Sequence, residues 1–275
     1  MSVLDTVMSM MGDTDGKVAP DISVRRVPFD QPWEWLGAGW RDMWTYPGTS
    51  LTYGLVFALG AVLMLVGVTQ AGAQSLILAL FGGFLLIGPL VALGLYEVSR
   101  RIETGEPVSL ASAIARSFQP AGQLGFMGMV LFIIFMIWMQ VAFLLFMLFT
   151  GGQAFPPPSE FVQMFLFTEH GLGLLIVGTL AGALLAFFTF SVSVVSVPLL
   201  MVKDVDVVTA ISTSFHAVRR NPRPMILWSA LIAGFVVIGI ITMCAGLIFV
   251  FPLMGHATWH AFKDLVEFHD GTSIH

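Results

Sequence analysis

The sequence predicts an all-α fold, a polytopic helical membrane protein with six transmembrane helices arranged as three hairpins. Hydrophobic residues make up 57% of the 275 residues and charged residues only 11%, whereas an average soluble domain has about 25% charged residues. Long apolar stretches alternate with short polar segments, and the mean hydropathy is +0.89. All 12 Lys and Arg residues lie on one side of this alternation, as expected when basic residues mark the cytoplasmic side of each span.

The basic residues bracket pairs of apolar stretches whose inner turns carry no positive charge. They are Lys17, Arg25, Arg26, Arg41, Arg100, Arg101, Arg116, Lys203, Arg219, Arg220, Arg223 and Lys263. A hydrocarbon core about 30 Å thick needs about 20 helical residues to cross it. Six stretches meet this requirement: Leu51–Val68, Gln74–Val98, Gly122–Phe149, Gly171–Met201, Pro224–Met243 and Ala245–Leu265. With six spans, both termini are predicted to be cytoplasmic.

The last two spans are separated by a length argument, because the chain from Arg223 to Leu265 is almost continuously apolar. As one helix rising about 1.5 Å per residue, this segment would be about twice as long as the membrane is thick. A turn is therefore expected near Cys244 and Gly246. The turn also returns Lys263 to the side where the other basic residues lie.

A short amphipathic helix is predicted before the first span of each hairpin, and a proline follows it. Apolar residues at intervals of three and four give one apolar helix face, and flanking basic residues and tryptophans suit a helix lying at the headgroup level. The proline then redirects the chain into the bilayer. The three stripes are Trp33, Leu36, Trp40 and Trp44 before Pro47; Leu110, Ala111, Ile114 and Phe118 before Pro120; and Val208, Ile211, Phe215 and Val218 before Pro222.

The combination of an amphipathic helix, a proline and a hairpin of two spans occurs three times. It predicts internal repeats within a single membrane domain, 31–268. The repeats cover about residues 31–101, 107–203 and 206–266. Residues 1–30 are predicted to be a mobile cytoplasmic tail, since they lack a basic start followed by an apolar core. Residues 269–275 form a C-terminal tail.

His256 and His260 are the most specific candidate site. Residues four apart share a helix face, the spacing of many two-histidine metal sites, and Asp264 continues the stripe. Ionisable groups at membrane depth are costly and suggest function. Three roles stay open for this pair: packing through hydrogen bonds, metal or haem ligation, and proton relay. For a metal, Glu97 or His216 are the expected further ligands.

Other polar residues within the spans are predicted to serve packing. Glu97 is expected to pair with Arg100 or Arg101 at the membrane face. Gln140 lies in the middle of the third span. Such side chains bond across helices or back to their own carbonyl groups. In the fourth span the corresponding polar residues are Thr189, Ser191, Ser193 and Ser196.

Several functional classes are not expected from this sequence. The single cysteine, Cys244, has no thiol partner for a disulfide or shared metal site. The net charge of −5 is spread over tails and loops, so no nucleic-acid partner is indicated. No phosphate loop, serine-nucleophile motif or zinc-protease motif occurs, and no charged residue lies in the middle of a predicted span. An enzyme is therefore not expected.

Three segments resemble a large bacterial family of uncharacterised predicted integral membrane proteins, grouped as a domain of unknown function. The segments are GLYEVSRR (94–101), RNPRPM (220–225) and PLMGHATWHAFKDL (252–265), and the resemblance extends over about residues 25–268. It implies a bacterial inner-membrane location and a similar six-span fold, without an established activity.

Some members of this family are labelled cytochrome c oxidase subunit I, and the histidines argue against that activity here. A haem–copper catalytic subunit needs about six histidine ligands within its spans. This chain has six histidines in total, and only His256 and His260 are predicted to lie at membrane depth. An accessory or assembly role beside a respiratory complex remains compatible with the label.

The resulting functional prediction is a non-catalytic inner-membrane protein acting as a scaffold, assembly factor or accessory subunit. Its interfacial helices are expected to contact membrane lipids or a membrane-protein partner. The residues expected to form this surface are Trp33, Trp40, Trp44, Arg219, Arg220 and Arg223. Two alternatives stay open: a small-solute transporter or channel lined by Gln140, Ser193, Ser196 and the histidine pair, and a metal or haem carrier using His256 and His260.

Overall fold

The computed structural model describes residues 17–19, 22–71, 80, 82–83, 87–117, 121–151 and 158–269, and it is predominantly helical. The helices are α1 (Gln31–Thr45), α2 (Pro47–Gln70), α3 (Gly88–Val91), α4 (Leu93–Thr104), α5 (Leu110–Ser117), α6 (Ala121–Thr150), α7 (Pro158–Phe167), α8 (Glu169–Ser193), α9 (Ser196–Val202), α10 (Val207–Arg220), α11 (Pro222–Ile241) and α12 (Leu247–Leu265). The strands are β1 (Lys17–Ala19), β2 (Ile22–Val24) and β3 (Val266–Phe268).

The junction between a short amphipathic helix and a long apolar helix has nearly the same backbone geometry in the first and third repeats. A single residue separates the two helices, Tyr46 with φ −129° and ψ 67°, and Asn221 with φ −127° and ψ 53°. Pro47 and Pro222 then begin the long helices, where a missing N–H costs nothing. In the second repeat, Phe118 and Pro120 lie outside the described residues.

Four helices are long and apolar enough to cross a membrane within the part of the chain that the structure describes. They are Pro47–Gln70, Gly122–Thr150, Glu169–Val202 and Pro222–Ile241. The all-α membrane class is therefore confirmed. The structure does not confirm the six-span arrangement of three hairpins, because much of the predicted second span lies outside the described residues and α12 does not meet the same criterion.

The turn between α11 and α12 falls where the length argument predicts it. Helix α11 ends at Ile241 and α12 begins at Leu247. Between them Met243 and Cys244 have φ values of 54° and 66°, in the left-handed region that reverses a chain direction. The hydroxyl of Thr242 accepts a hydrogen bond from the Gly246 amide at 2.8 Å, which satisfies one of the amides exposed by the turn.

The buried core surrounds the second half of α12, which packs against α1, α2 and α4. Trp35, Trp228, Trp259 and Phe262 are among the largest fully buried side chains. Trp35 and Trp228 meet edge to face, with ring centroids 5.6 Å apart, a favoured aromatic geometry. We call this part of the molecule, where α1 packs against α11 and against the C-terminal ends of α4 and α12, the basic end.

The segment 22–30 differs from the predicted mobile tail. Strand β2 pairs antiparallel with β3, with Ser23 opposite Glu267, and β1 completes a small three-stranded sheet. The side chain of Asn221 adds two bonds, from the Val27 amide and to the Arg25 carbonyl, both at 2.9 Å. This segment is held in place by backbone hydrogen bonds, which form only when residues 22–24 meet the C-terminal strand β3. Residues 1–16 lie outside the described residues.

Candidate functional site: a buried polar network

Helix α12 presents a polar face to its neighbours at the basic end. His256, His260, Lys263 and Asp264 follow at intervals of four, three and one residues, so they share one side of the helix. His256 is fully buried in the core, whereas His260, Lys263 and Asp264 are half-buried. The stripe predicted from sequence is therefore present, and its members contact three other helices.

His256 joins α12 to α2 and α4 through two hydroxyl groups. Its Nε2 lies 3.0 Å from Ser50 Oγ, and its Nδ1 lies 2.8 Å from Ser99 Oγ. The Ser99 hydroxyl donates its proton to Asp42 Oδ2 at 2.7 Å. Because that proton is used, Nδ1 of His256 must donate to Ser99, and Nε2 must accept from Ser50. The neighbouring hydroxyls thus assign the tautomer of a neutral imidazole.

Asp42, on α1, connects the two histidines. Its Oδ2 accepts from Ser99 and also lies 2.9 Å from Nε2 of His260. Burial by itself raises the pKa of Asp42, but hydrogen bonds from His260 and Ser99 outweigh burial and hold that pKa below its ordinary value. Asp42 is therefore a carboxylate at neutral pH, and it accepts two hydrogen bonds through one oxygen.

Glu103 extends the chain of polar contacts toward the surface. Its Oε1 lies 2.7 Å from Lys263 Nζ and 3.6 Å from His260 Nδ1. Its Oε2 accepts a hydrogen bond from Trp259 Nε1 at 3.2 Å. We refer to these linked side chains as the polar network: Asp42, Ser50, Ser99, Glu103, His256, His260 and Lys263.

Asp264 makes a separate attachment between α12 and α1. Its Oδ2 accepts hydrogen bonds from Trp35 Nε1 at 2.7 Å and from Gln31 Nε2 at 3.0 Å. The buried indole N–H of Trp35 thereby has a partner, as buried tryptophans normally do. Helix α1 is consequently fixed to α12 by polar contacts near both of its ends, at Gln31 and at Asp42.

Glu97 forms the ion pairs that its sequence context predicts. Only 1% of its side chain is exposed, and its carboxylate oxygens lie 2.8 Å from Arg100 Nε and 2.7 Å from Arg101 Nε. Arg100 also pairs with Glu106 at 2.9 Å. A buried carboxylate held by two guanidinium groups is stable only while both remain, so this cluster fixes the end of α4.

Two of the side chains proposed as metal ligands, His256 and Glu97, already have hydrogen-bond or ion-pair partners within the protein. Both ring nitrogens of His256 are engaged by serine hydroxyls, and Glu97 is engaged by two arginines. Within the described residues, no three or more His, Cys, Asp or Glu side chains are grouped so that they hold a metal ion. Metal or haem binding by His256 and His260 stays an untested prediction.

The predicted apolar stripe of α1 divides between two sides of the helix. Trp33, Trp40 and Trp44 are about half exposed, whereas Leu36 is buried in the core. The rings of Trp40 and Trp44 lie edge to face, 5.7 Å apart. Leu36 shares the helical spacing of the stripe, but it lies at the edge of the stripe, where it packs into the core.

The three candidate arginines have different surroundings. Arg219 and Arg223 are exposed, while Arg220 is half-buried. The Nε of Arg220 is buried without a hydrogen-bond partner among the described residues. Arg219 and Arg223 make no ion pair in that same part of the chain, so their charges are available to an external anion.

Polar side chains on the long helices behave in two ways. Thr189, Ser191 and Ser193 donate to carbonyl oxygens one turn earlier on α8, as expected in an apolar environment. Gln140 departs from the prediction of a packed polar group, because it is exposed on α6. It lines a cavity of about 1020 Å³ whose described walls come mainly from α6, α8, α11 and α12, with Gly88 and Pro89 of α3 also contributing.

This cavity contains only part of the lining that a polar solute path requires. Gln140 and Ser193 contribute to its wall, whereas Ser196, His256 and His260 do not. Most of its lining side chains are apolar, among them Trp138, Phe143 and Phe251. The polar network and the cavity are thus separate features on different sides of α12.

Sequence reasoning missed Asp42, Ser50, Ser99 and Glu103 as members of the network. The sequence around Asp42 contained one indication of its role. A carboxylate close in sequence to three tryptophans must lie on the opposite face of the helix or pair with another polar group. The serines had none, because a hydroxyl in an apolar helix usually bonds its own backbone. Their role depends on which helices meet.

A family model agrees with the membrane assignment. The family described as predicted integral membrane protein (DUF2189) matches residues 76–202. The match includes the segment 94–101, while the segments 220–225 and 252–265 lie outside it. Comparison with curated proteins and with solved structures found no match.

Proposed function

We propose that this chain, which resembles a family of predicted integral membrane proteins, is a non-catalytic scaffold or accessory subunit of a bacterial inner membrane. It crosses the membrane six times with both termini in the cytoplasm. The basic end then faces the cytoplasm, and α1 lies at the headgroup level. A membrane-protein partner, together with lipid, contacts the exposed face of α1 and the arginines of α10 and α11.

The exposed tryptophan face of α1 carries this proposal. Trp33, Trp40 and Trp44 project from one side of the helix, while Asp42 and Trp35 fix its other side to α4 and α12. Aromatic side chains are enriched at protein interfaces and at membrane interfaces. A rigidly held row of three exposed indoles loses little conformational freedom on binding, which favours a docking surface.

The buried position of the polar network supports a structural role over catalysis. Ser50, His256 and Asp42 include the groups of a nucleophile, a base and an orienting carboxylate. However, Ser50, Ser99 and His256 have no exposed surface. A substrate cannot reach these hydroxyls without separating α2, α4 and α12, so the network is proposed to hold the helices together.

The test is co-purification in mild detergent after expression at native level, followed by mass spectrometry of bound proteins. The wild type is expected to retain a membrane-protein partner, and the double variant Trp40→Ala/Trp44→Ala is expected to lose it. Phe126→Ala is a matched control, since it removes another exposed aromatic side chain, on α6. A monodisperse wild type without a partner, or equal retention by all three proteins, contradicts the proposal.

A second candidate function, a path for small solutes, is favoured by one observation, the cavity that Gln140 and Ser193 help to line. It predicts solute flux across vesicles containing the pure protein. Gln140→Leu should reduce that flux, and Ser229→Ala serves as a control at another lining position. Absence of flux for polar solutes of graded size rejects this function without affecting the scaffold proposal.

A further inference from the structure

The cavity beside α12 has the shape of a long slot running along the helices. Its lining residues on α8 extend from Leu174 to Ser193, and those on α11 extend from Ile226 to Ile240. At about 1.5 Å per residue, these distances correspond to about 29 Å and 21 Å. The slot therefore runs along most of the hydrocarbon thickness of a membrane, which is about 30 Å.

Four hydroxyl groups in the wall of the slot are satisfied by the protein itself. Thr189, Ser193, Ser229 and Thr258 each donate to a carbonyl oxygen three or four residues earlier on their own helices. A bound water needs two to four polar partners. These four hydroxyl groups already donate their protons to backbone carbonyls, so they are not available as donors to a water molecule. Among the described residues, the lining contains no Lys, Arg, Asp or Glu. This chemistry suits hydrocarbon better than a column of water.

An exposed arginine stands at the basic end of the slot. Arg223 precedes the lining residues Ile226 and Ala230 by three and seven positions on α11, so all three occupy neighbouring parts of one helix face. Arg223 is exposed and has no ion-pair partner among the described residues. Apolar walls that end at an unpaired guanidinium match an apolar chain that ends in an anion.

We infer that the slot binds an anionic phospholipid, with an acyl chain between α6, α8, α11 and α12 and the phosphate beside Arg223. Because an empty apolar volume forfeits dispersion contacts in proportion to its size, hydrocarbon from the bilayer fills it. Arg223 selects anionic over neutral lipids at that position. The bound lipid thereby completes the packing between the described helices on this side.

The experiment uses full-length protein in vesicles of phosphatidylcholine containing a phosphatidylglycerol with a photoreactive acyl chain. Illumination and peptide mapping are expected to place the label on α6, α8 and α11 at lining residues such as Phe143, Ala183 and Ala233. Labelling spread evenly over residues outside the slot, such as Leu63 and Leu184, overturns the inference.

Two variants on neighbouring positions test the slot itself. Ala183 lines it, whereas Leu184 is 74% exposed and is not part of its wall. Ala183→Trp should abolish the specific labelling, and Leu184→Trp should leave it unchanged. Equal labelling of both overturns the inference. Only monodisperse protein is compared, because a tryptophan at position 183 can disturb folding. Ala230→Trp, on the opposite wall, is a second variant that should obstruct the slot and abolish the specific labelling.

The headgroup assignment is tested by competition between anionic and neutral lipids. Arg223→Gln should reduce the preference for phosphatidylglycerol by about fivefold, the expected contribution of one basic residue near an anionic lipid surface, while acyl-chain labelling persists. Arg26→Gln is the control, as an exposed arginine that precedes α1 and lies outside the arginines assigned to the lipid and partner surface. An unchanged preference in Arg223→Gln refutes the headgroup assignment. Disulfide cross-linking of Gly178→Cys between two copies refutes the lipid occupant, since a second chain then fills the slot.

Discussion

The neighbouring hydrogen bonds determine which ring nitrogen of His256 carries the proton. Ser99 uses its hydroxyl proton on Asp42, so the imidazole must donate from Nδ1 and accept at Nε2 from Ser50. Each of these three hydrogen bonds therefore has one assigned donor and one assigned acceptor. Such fully satisfied buried networks specify one arrangement of helices, and they are costly when one member is lost.

Replacing His256 with alanine should lower stability without preventing membrane insertion. The change leaves Ser50 without its acceptor, Ser99 without its donor and a cavity at a fully buried position. A loss of about 1–3 kcal/mol is expected for a buried polar group left unsatisfied, measured as a lower unfolding temperature in detergent. His269→Ala, at an exposed position, should have no effect. Equal thermal stability of the two variants would show that the network contributes nothing.

The carboxylate of Asp42 should make stability depend on pH in the acid range. Its pKa in the folded protein lies below the ordinary value of 3.8, because hydrogen bonds from His260 and Ser99 exceed the opposing effect of burial. For a lowered pKa, the stabilisation is complete above 3.8 and is lost as the pH falls through the folded value. The difference in unfolding temperature between wild type and Asp42→Asn should therefore be constant from neutral pH to about pH 4 and shrink below it.

The control for this measurement is Asp30→Asn, which alters an exposed carboxylate just before α1 that makes no side-chain cap bond. Its difference from the wild type should stay small across the same range. A difference for Asp42→Asn that grows as the pH falls would contradict the assigned role of the Asp42 carboxylate.

Part of this residue-level picture was predictable from sequence. The shared face of His256, His260 and Asp264 follows from spacing alone, and the pairing of Glu97 with nearby arginines follows from their closeness in the chain. The partners Ser50, Ser99 and Asp42 were not predictable, because they are 157 to 218 residues away from the histidines they bind. Contacts at that separation depend on helix packing, which no local pattern encodes.

At the level of elements, the close approach of α1 and α2 to α12 depends on one glycine in each of the two helices. A Cβ atom at Gly54 would overlap the carbonyl group of Ile248 on α12, and one at Gly39 would lie 2.6 Å from the Ala257 amide nitrogen. Small residues permit such approaches between membrane helices. The neighbouring backbone of α12 has no freedom to move aside, since its side chains are packed on α1 and α4.

Gly54→Val should destabilise the protein by forcing α2 away from α12. Overpacking a closely fitted contact costs about 1–3 kcal/mol, and Ser50 would move with α2 away from His256. Gly67→Val is a matched control on the same helix, because nothing lies within 4 Å of a Cβ at that position. The two variants are compared by unfolding temperature and by yield in detergent, and a larger effect of Gly67→Val would exclude the proposed crossing.

The amphipathic helices show how far a helical pattern predicts an element. Spacing predicted a short helix carrying the stripe from Trp33 to Trp44 and a break before Pro47, and the structure has both, with the helix covering Gln31–Thr45. It did not reveal that α1 is apolar on two sides, one buried and one exposed. A hydrophobic stripe in the sequence indicates only that one helix surface avoids water. The tertiary structure determines which apolar side of the helix packs against the rest of the protein and which stays exposed.

For the whole molecule, the orientation of the hairpins is the main prediction. Reporter fusions after Thr150 and after Asn221 should report opposite faces of the bilayer, with the second on the cytoplasmic side. This expectation follows because the basic residues that flank the spans resist translocation. Replacing Arg219, Arg220 and Arg223 with glutamine should weaken the bias at the second site. Reporters found on the same face would exclude the three-hairpin topology.

The sequence by itself determined the membrane class and the approximate ends of the four long apolar helices α2, α6, α8 and α11, and it predicts that basic residues mark one end of each hairpin. These are properties of short stretches of chain, since apolar length, proline and charge act locally. Only the tertiary structure decided that the histidines bind serines and a carboxylate, that residues 22–24 join a sheet with the C-terminal strand, and that a slot opens beside Arg223. Those outcomes depend on which distant surfaces meet, and that is fixed by packing of the whole chain.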